Sequence, residues 1–273
     1  MDTIPPDAWL QQAACVDLRG GAAHAVDRPR GAVALEVDDL LYRPYLLPPR
    51  SEPLVLVGGA PERMELVVQA LGAAGHAAVR HLPEAAWRTH LEIESGSPTR
   101  TRLWEPSPAL VEALAVHAPR PGSTALDLAC GAGRNAAYLA LCGYEVTAID
   151  VLPDALVRVQ DLAARSGVHV RCVQRDLTFP GALDDLRADL VVVVRFLDRT
   201  LFGPLQRAVR PGGMLVYETF TADQAESGHP RNPKFLLQPE ELRGAFPDLG
   251  TALYREGFFD GAHLARLVAL APT

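Results

Sequence analysis

The chain has 273 residues, 48% of them hydrophobic, and a formal net charge of −7 at neutral pH. That length suits one large and one small domain, and the apolar fraction supports a real core. No apolar run approaches the ~20 residues of a membrane span, and a mild acidity spread over both halves argues against nucleic acid as a partner. The segment 1–10 carries Asp2, Asp7 and two prolines. It lacks the order of a signal peptide, so a cytoplasmic location is expected. Cysteines 15, 130, 142 and 172 form no CxxC pair and no zinc spacing, so no metal is expected. Cys130 and Cys142 read as small packing residues.

Cys15-Val16-Asp17-Leu18-Arg19 reads as a strand and turn, and Arg28-Pro29-Arg30-Gly31-Ala32 follows. Residues 53–57 form a buried strand. Gly58-Gly59-Ala60-Pro61-Glu62-Arg63 is a loop opening a helix over 64–74, and a short strand near Val79 and then Trp87 close the unit. Residues 12–90 thus resemble a rhodanese domain, through Asp17-x-Arg19, Gly31-Ala32, the 54–57 strand, the six-residue loop ending in Arg63, and Trp87. A rhodanese loop opens with the sulfur-carrying cysteine, and this one opens with Gly58. Thiolate chemistry needs a thiol. The resemblance therefore implies a small α/β module over 1–93 that is dead as a sulfurtransferase and serves structure or docking. Its loop amides, at a helix N-terminus, could still hold an anion.

The polar, turn-rich stretch 94–106 reads as a linker, leaving 107–273 as the second domain. A helix over 107–117 puts Leu110, Val111 and Leu114 on one face, and Pro119-Arg120-Pro121-Gly122 stops it. Next comes Ala125-Leu126-Asp127-Leu128-Ala129-Cys130-Gly131-Ala132-Gly133-Arg134, a buried strand, a glycine turn and a helix start. Glycines at 131 and 133 allow a tight turn that a nucleotide-like cofactor can approach. The next strand, 144–149, ends in Asp150, nineteen residues after Gly131. An acid at that distance commonly binds ribose hydroxyls. Gly131-x-Gly133-x-x-Ala136 also fits the dinucleotide fingerprint, so both cofactor types stay open here.

Beyond the turn, helices over 134–142, 153–166 and 201–209 alternate with strands over 168–174, 190–195 and 214–220. Such alternation implies a mainly parallel, doubly wound, Rossmann-like α/β sheet. A polar loop over 221–234 leads to a helix over 239–246. Two strands, 252–259 and 263–271, close the chain with only Asp260-Gly261-Ala262 between them. So short a link cannot be a crossover, so these two strands must pair antiparallel.

A doubly wound sheet ending in an antiparallel hairpin resembles the class I S-adenosylmethionine-dependent methyltransferases, over roughly residues 104–273. A dinucleotide dehydrogenase sheet usually runs parallel throughout, so an NAD(P)-dependent oxidoreductase is the alternative. The resemblance implies S-adenosylmethionine as cofactor. It assigns Asp127, Ala129, Gly131, Gly133 and Asn135 to the first cofactor motif. Asp150 with Val151 falls at the ribose acid, and Asp176 with Leu177 at the adenine. Arg195 falls where cofactor and acceptor meet. Gly133-Arg134-Asn135-Ala136-Ala137-Tyr138, followed by Gly143-Tyr144-Glu145-Val146, is similar to the tellurite-resistance (TehB-like) group.

In an open parallel sheet ligands bind at the carboxyl ends of the strands. The loop 226–239 follows such an end and gathers His229, Arg231, Asn232 and Lys234 before Phe235-Leu236-Leu237. It reads as a lid with a polar head and an apolar foot. His229, Arg231 and Arg195 are the candidates for contact with the acceptor, and His229 or Glu218 for a base if one is used. Methyl transfer needs alignment and dryness more than a catalytic group. The acceptor is expected to be a small molecule, which the TehB-like resemblance narrows to a chalcogen oxyanion or another small nucleophile. RNA or protein remains as the alternative acceptor.

Overall fold

The computed structural model describes Leu10 and residues 12–273, so the reading of the first ten residues as no signal peptide falls almost wholly outside the described residues. The chain divides into two compact units, Met1–Glu105 and Pro106–Thr273. No described helix is long and apolar enough to cross a membrane.

The first unit contains β1 (Ala14–Asp17), β2 (Arg28–Pro29), β3 (Val33–Ala34), β4 (Leu54–Val57), β5 (Val79–Leu82) and β6 (Ile93–Glu94). Four of these form a parallel sheet in the order β3-β1-β4-β5, while β2 and β6 pair antiparallel. Side chains alternate across a strand. Leu54 and Leu56 therefore enter one core with Met64 and Leu71, and Val55 and Val57 enter the other with Trp87. A strand buried on both faces reads as an unbroken apolar run, which makes 53–57 legible in the sequence.

The stretch 94–105, expected as linker, is instead held by this unit. Glu94 is a strand residue, accepts from Arg28 Nε at 2.9 Å and from Thr99 Oγ1 at 2.7 Å, and Leu103 is buried in the core with Leu54. Only Pro106 belongs to the second unit. Polar composition suggested a linker because Glu94 and Arg100 anchor it through ion pairs, and its buried apolar anchors, Leu103 and Trp104, come only at its end.

The second unit carries β7 (Thr124–Leu128), β8 (Glu145–Asp150), β9 (Val170–Gln174), β10 (Ala188–Val194), β11 (Val209–Phe220), β12 (Gly250–Phe259) and β13 (Ala262–Leu270). They form one sheet in the order β12-β13-β11-β10-β7-β8-β9. Pairing is parallel from β9 to β11, and β13 runs against both β11 and β12. The expected hairpin is thus present. Its turn residues Asp260 and Gly261 have φ of 52° and 77°, the pair of left-handed conformations that suits the strand twist. Leu128, Val191, Val193 and Leu215 fill one face; Ala125, Val192, Val216 and Val268 fill the other.

Two of the boundaries that differ from expectation bear on the site. The valine strand stops at Val194, because Arg195 turns left-handed with φ 57°. The helix expected over 239–246 shrinks to Glu241–Gly244, since Glu240 is also left-handed at φ 61°. A right-handed helix cannot pass through such a residue.

Candidate active site at the carboxyl edge of the second sheet

The strand order reverses between β7 and β10, and the carboxyl ends of both strands open on one edge. Each strand is followed there by a left-handed residue that is not glycine, Ala129 (φ 54°) after β7 and Arg195 (φ 57°) after β10. Such residues cost about 1–3 kcal/mol each and persist where the surroundings fix them. Cys130 N donates to Ile149 O at 3.1 Å, and Arg195 N donates to Glu218 O at 2.7 Å. These two bonds tie the chain to opposite neighbours, β8 and β11, on either side of the switch point, where ligands of doubly wound sheets bind.

Asp127 lies beneath the glycine turn, 1% exposed. Its Oδ2 accepts from Ala136 N at 3.0 Å and so caps the helix Arg134–Leu141. Burial pushes its carboxyl up to about 7; the Asp150 charge adds to that and the Ala136 amide opposes it. Gly133 begins the helix with φ 80°, and a Cβ there would stand 2.7 Å from Val159 Cγ2 on the helix Pro153–Arg165. Glycine lets the two helices meet. A Cβ on Gly131 would meet nothing within 4 Å, so the space over the turn is open.

Asp150 ties the turn to the second strand. Its Oδ2 accepts from Gly131 N and its Oδ1 from Leu152 N, both at 2.9 Å. A carboxylate offers about four acceptor positions, so lone pairs remain for hydroxyl donors. Beside it Val151 and Leu152 are exposed and form an apolar rim. Asp176, after β9, turns Oδ1 onto Thr178 N (2.9 Å) and Thr178 Oγ1 (2.7 Å), and these donors hold its carboxyl below its ordinary value.

Three expected contacts are placed differently by their side chains. Asn135 Oδ1 accepts from Ser107 N at 2.8 Å, which commits that atom to anchoring the helix Pro108–Val116. Leu177 is buried in the core, so only its backbone faces the edge. Glu218 is no free base. It is 2% exposed and accepts from Arg266 Nε at 2.7 Å; Arg266 also pairs with Asp260 and stacks 4.6 Å from the Phe259 ring. The missed partner had a faint signal, one arginine inside the apolar run Leu264-Ala265-Arg266-Leu267-Val268.

The loop after β11 closes on its own strand. Leu237 N donates to Phe220 O and Ala222 N to Leu237 O, both at 2.9 Å. Buried Gln224 accepts from His263 N (2.8 Å) and donates to His229 O (3.0 Å). Leu236 and Leu237 are the buried foot, whereas His229, Arg231, Asn232 and Lys234 are exposed. A cavity of about 730 Å³ lies at the opposite edge, lined by residues such as Thr124, Glu145 and Arg171, and carries none of these groups.

In the first unit Gly58 has φ 78°, and a Cβ there would stand 2.5 Å from Arg19 Cγ. Arg19 is fixed by Asp17, with Nη2 to Oδ2 at 2.8 Å, and lies 4.6 Å from the Trp87 ring. Burial alone would raise the Asp17 carboxyl, but donors from Arg19 and His24 outweigh it and hold it below its ordinary value. Cys15 is buried in the neighbouring strand, and that burial pushes its thiol up to about 12.

Residues 125–213 match the profile of the methyltransferase domain family. They form a methyltransferase domain. The fold around it is that of the class I methyltransferases: TehB from Haemophilus influenzae superposes with a TM-score of 0.50 at 20% identity, over 59% of this chain and 61% of that one. In sequence the chain is 32% identical over 140 residues to hemagglutinin 1 of Eikenella corrodens, covering 48% of this chain and 45% of that protein. It is 30% identical over 148 residues to ribosomal RNA small subunit methyltransferase C of Alcanivorax borkumensis, covering 48% and 44%. The chain therefore spans less than half the length of these two curated relatives.

Proposed function

We propose that the second unit transfers a methyl group from S-adenosylmethionine to a small-molecule acceptor. The single observation that carries this is the Gly131–Asp150 bond, which fixes an open glycine turn against a strand-end carboxylate. The residues present fit the cofactor. Asp150 would accept from ribose hydroxyls, the Val151–Leu152 rim and Asp176 would flank the adenine, and the amides of 129–133 would face the amino-acid portion.

When bound, the cofactor supplies a sulfonium methyl already activated toward a nucleophile. Transfer to the acceptor would be an in-line displacement at that methyl. The protein's share is alignment and exclusion of water. Arg195 borders the acceptor side, and the loop carrying His229 and Arg231 serves as its cover. With Glu218 committed to Arg266, His229 is the remaining candidate for a base where the acceptor carries a proton.

A small acceptor is favoured over RNA because the chain's net charge is −7 and its basic residues form no stripe. An oxidoreductase reading is disfavoured by the antiparallel β13. We further read the first unit as a rhodanese-like scaffold without thiol chemistry. Gly58 stands where the reactive thiol would be, and Cys15 stays protonated at neutral pH.

Calorimetric titration of the full chain with S-adenosylmethionine and, separately, NADH tests the central reading. Micromolar binding of S-adenosylmethionine without NADH binding is expected. NADH binding alone would refute it.

A further inference from the structure

We propose that the acceptor is an organic anion with an apolar, ring-sized body, its charge received by Arg195 and its body lying against the aromatic rim of β11 and the terminal hairpin. This rests on reading the carboxyl edge as the methyl-transfer site.

The first observation is uneven charge pairing. Arg199 holds Glu241, Arg243 holds Glu240, and Arg266 holds Glu218. Among the described residues no carboxylate pairs with Arg195, Arg231 or Lys234. Arg195 lies 5.4 Å from the Phe220 ring, Arg231 Nε donates to Gly228 O, and Lys234 Nζ lies 5.8 Å from the Phe235 ring. Asp198, three residues beyond Arg195, is turned back onto Thr200.

The second observation is place. Arg195 sits at the switch point in a left-handed conformation that its bond to Glu218 O maintains. The loop bearing Arg231 and Lys234 begins and ends at Phe220, the ring beneath Arg195. Arg195 and the loop that carries Arg231 and Lys234 thus meet at Phe220, and among the described residues none of the three cations is ion-paired with a carboxylate.

The third is the aromatic rim. Phe258 is 61% exposed at the hairpin tip, edge-on to His263 at 5.0 Å, and Phe235 is 44% exposed on the loop. Because β13 runs against β11, the hairpin tip shares the edge on which β11 ends. A planar guanidinium backed by a ring matches a carboxylate or phosphate in a bidentate way. A bare inorganic oxyanion would use the cations and leave the rings idle.

The test is calorimetry on the full chain saturated with S-adenosylhomocysteine, using benzoate, its neutral isostere benzamide, and selenite. Benzoate is expected to bind about tenfold more tightly than benzamide, since a charge-assisted pair is roughly twice as strong as a neutral one, and more tightly than selenite, which leaves the rings idle. Arg195→Gln should bring benzoate down to the level of benzamide, and Arg195→Lys should restore part of the gap. Phe220→Leu keeps the charge and should weaken benzoate while leaving selenite unchanged. Equal affinity for benzoate and benzamide, tighter binding of selenite, or binding of none of the three overturns the proposal. Failure of S-adenosylhomocysteine to bind is a separate outcome that sinks the methyl-transfer reading. Benzoate and benzamide titrated into the cofactor-free chain then still read the Arg195 site.

Discussion

The amide of Gly131 donates to Asp150 Oδ2 at 2.9 Å and so locks the glycine turn to the end of the neighbouring strand. One carboxylate thus serves two purposes, bracing the turn and presenting its remaining lone pairs to the open edge. Asp150→Ala removes both, together with the acceptor for Leu152 N. Each lost bond to a charged group is worth about 1.5–3 kcal/mol. Affinity for S-adenosylhomocysteine should fall by at least roughly tenfold in calorimetry; unchanged affinity would remove Asp150 from the cofactor site.

Gly133→Ala places a methyl group 2.7 Å from Val159 Cγ2 in a left-handed residue. Overpacking costs about 1–3 kcal/mol, and the backbone strain adds to it. A lowered midpoint in urea is expected, and Gly133→Ala with Val159→Ala should recover the overpacking part only.

Asp127 gives a pH signature. Its carboxyl is raised to about 7 by burial, above the unfolded value near 4. The native state then binds more protons than the unfolded chain between those values, so stability falls as pH rises from about 4 to 7. The loss is on the order of 4 kcal/mol. Asp127→Asn keeps an acceptor for Ala136 N and should flatten this slope, so its stabilising effect should be larger at pH 8 than at pH 5 in denaturant titrations. An identical gain at both pH values would contradict the raised carboxyl.

Glu218→Ala leaves Arg266 buried beside Asp260 alone. Breaking a buried pair costs about 3–5 kcal/mol, while replacing both partners by apolar groups is often neutral. The single variant should therefore be much less stable than the Glu218→Leu, Arg266→Met double variant. Equal stability of the two would mean that the pair is not buried in solution.

Gly58→Cys supplies the thiol but drives Cβ to 2.5 Å from Arg19 Cγ. A destabilised chain with no persulfide after thiosulfate treatment is expected. Persulfide on the introduced thiol, located by mass spectrometry, would show that the loop retains a working anion cradle.

Local chemistry makes much of this protein legible in its sequence. Leu54 to Val57 and the valine run of β10 announce buried strands because parallel strands lose both faces to the core. Gly131, Gly133 and Asp150 announce the turn because backbone approach and spacing are local properties. The short link at Asp260-Gly261 forces the hairpin, since so short a connection leaves no other way for the strands to pair. Tertiary structure alone decided the rest. Glu94 and Leu103 read as linker until distant partners, Arg28 and Leu54, claimed them. Glu218 read as a base until Arg266, 48 residues on, neutralised it. Arg195 read as the end of a strand until the carbonyl of Glu218 held it left-handed at the mouth of the site. Such roles depend on which residues the folded sheet brings side by side, and one-dimensional spacing does not encode that for charged groups, which carry no periodic signature.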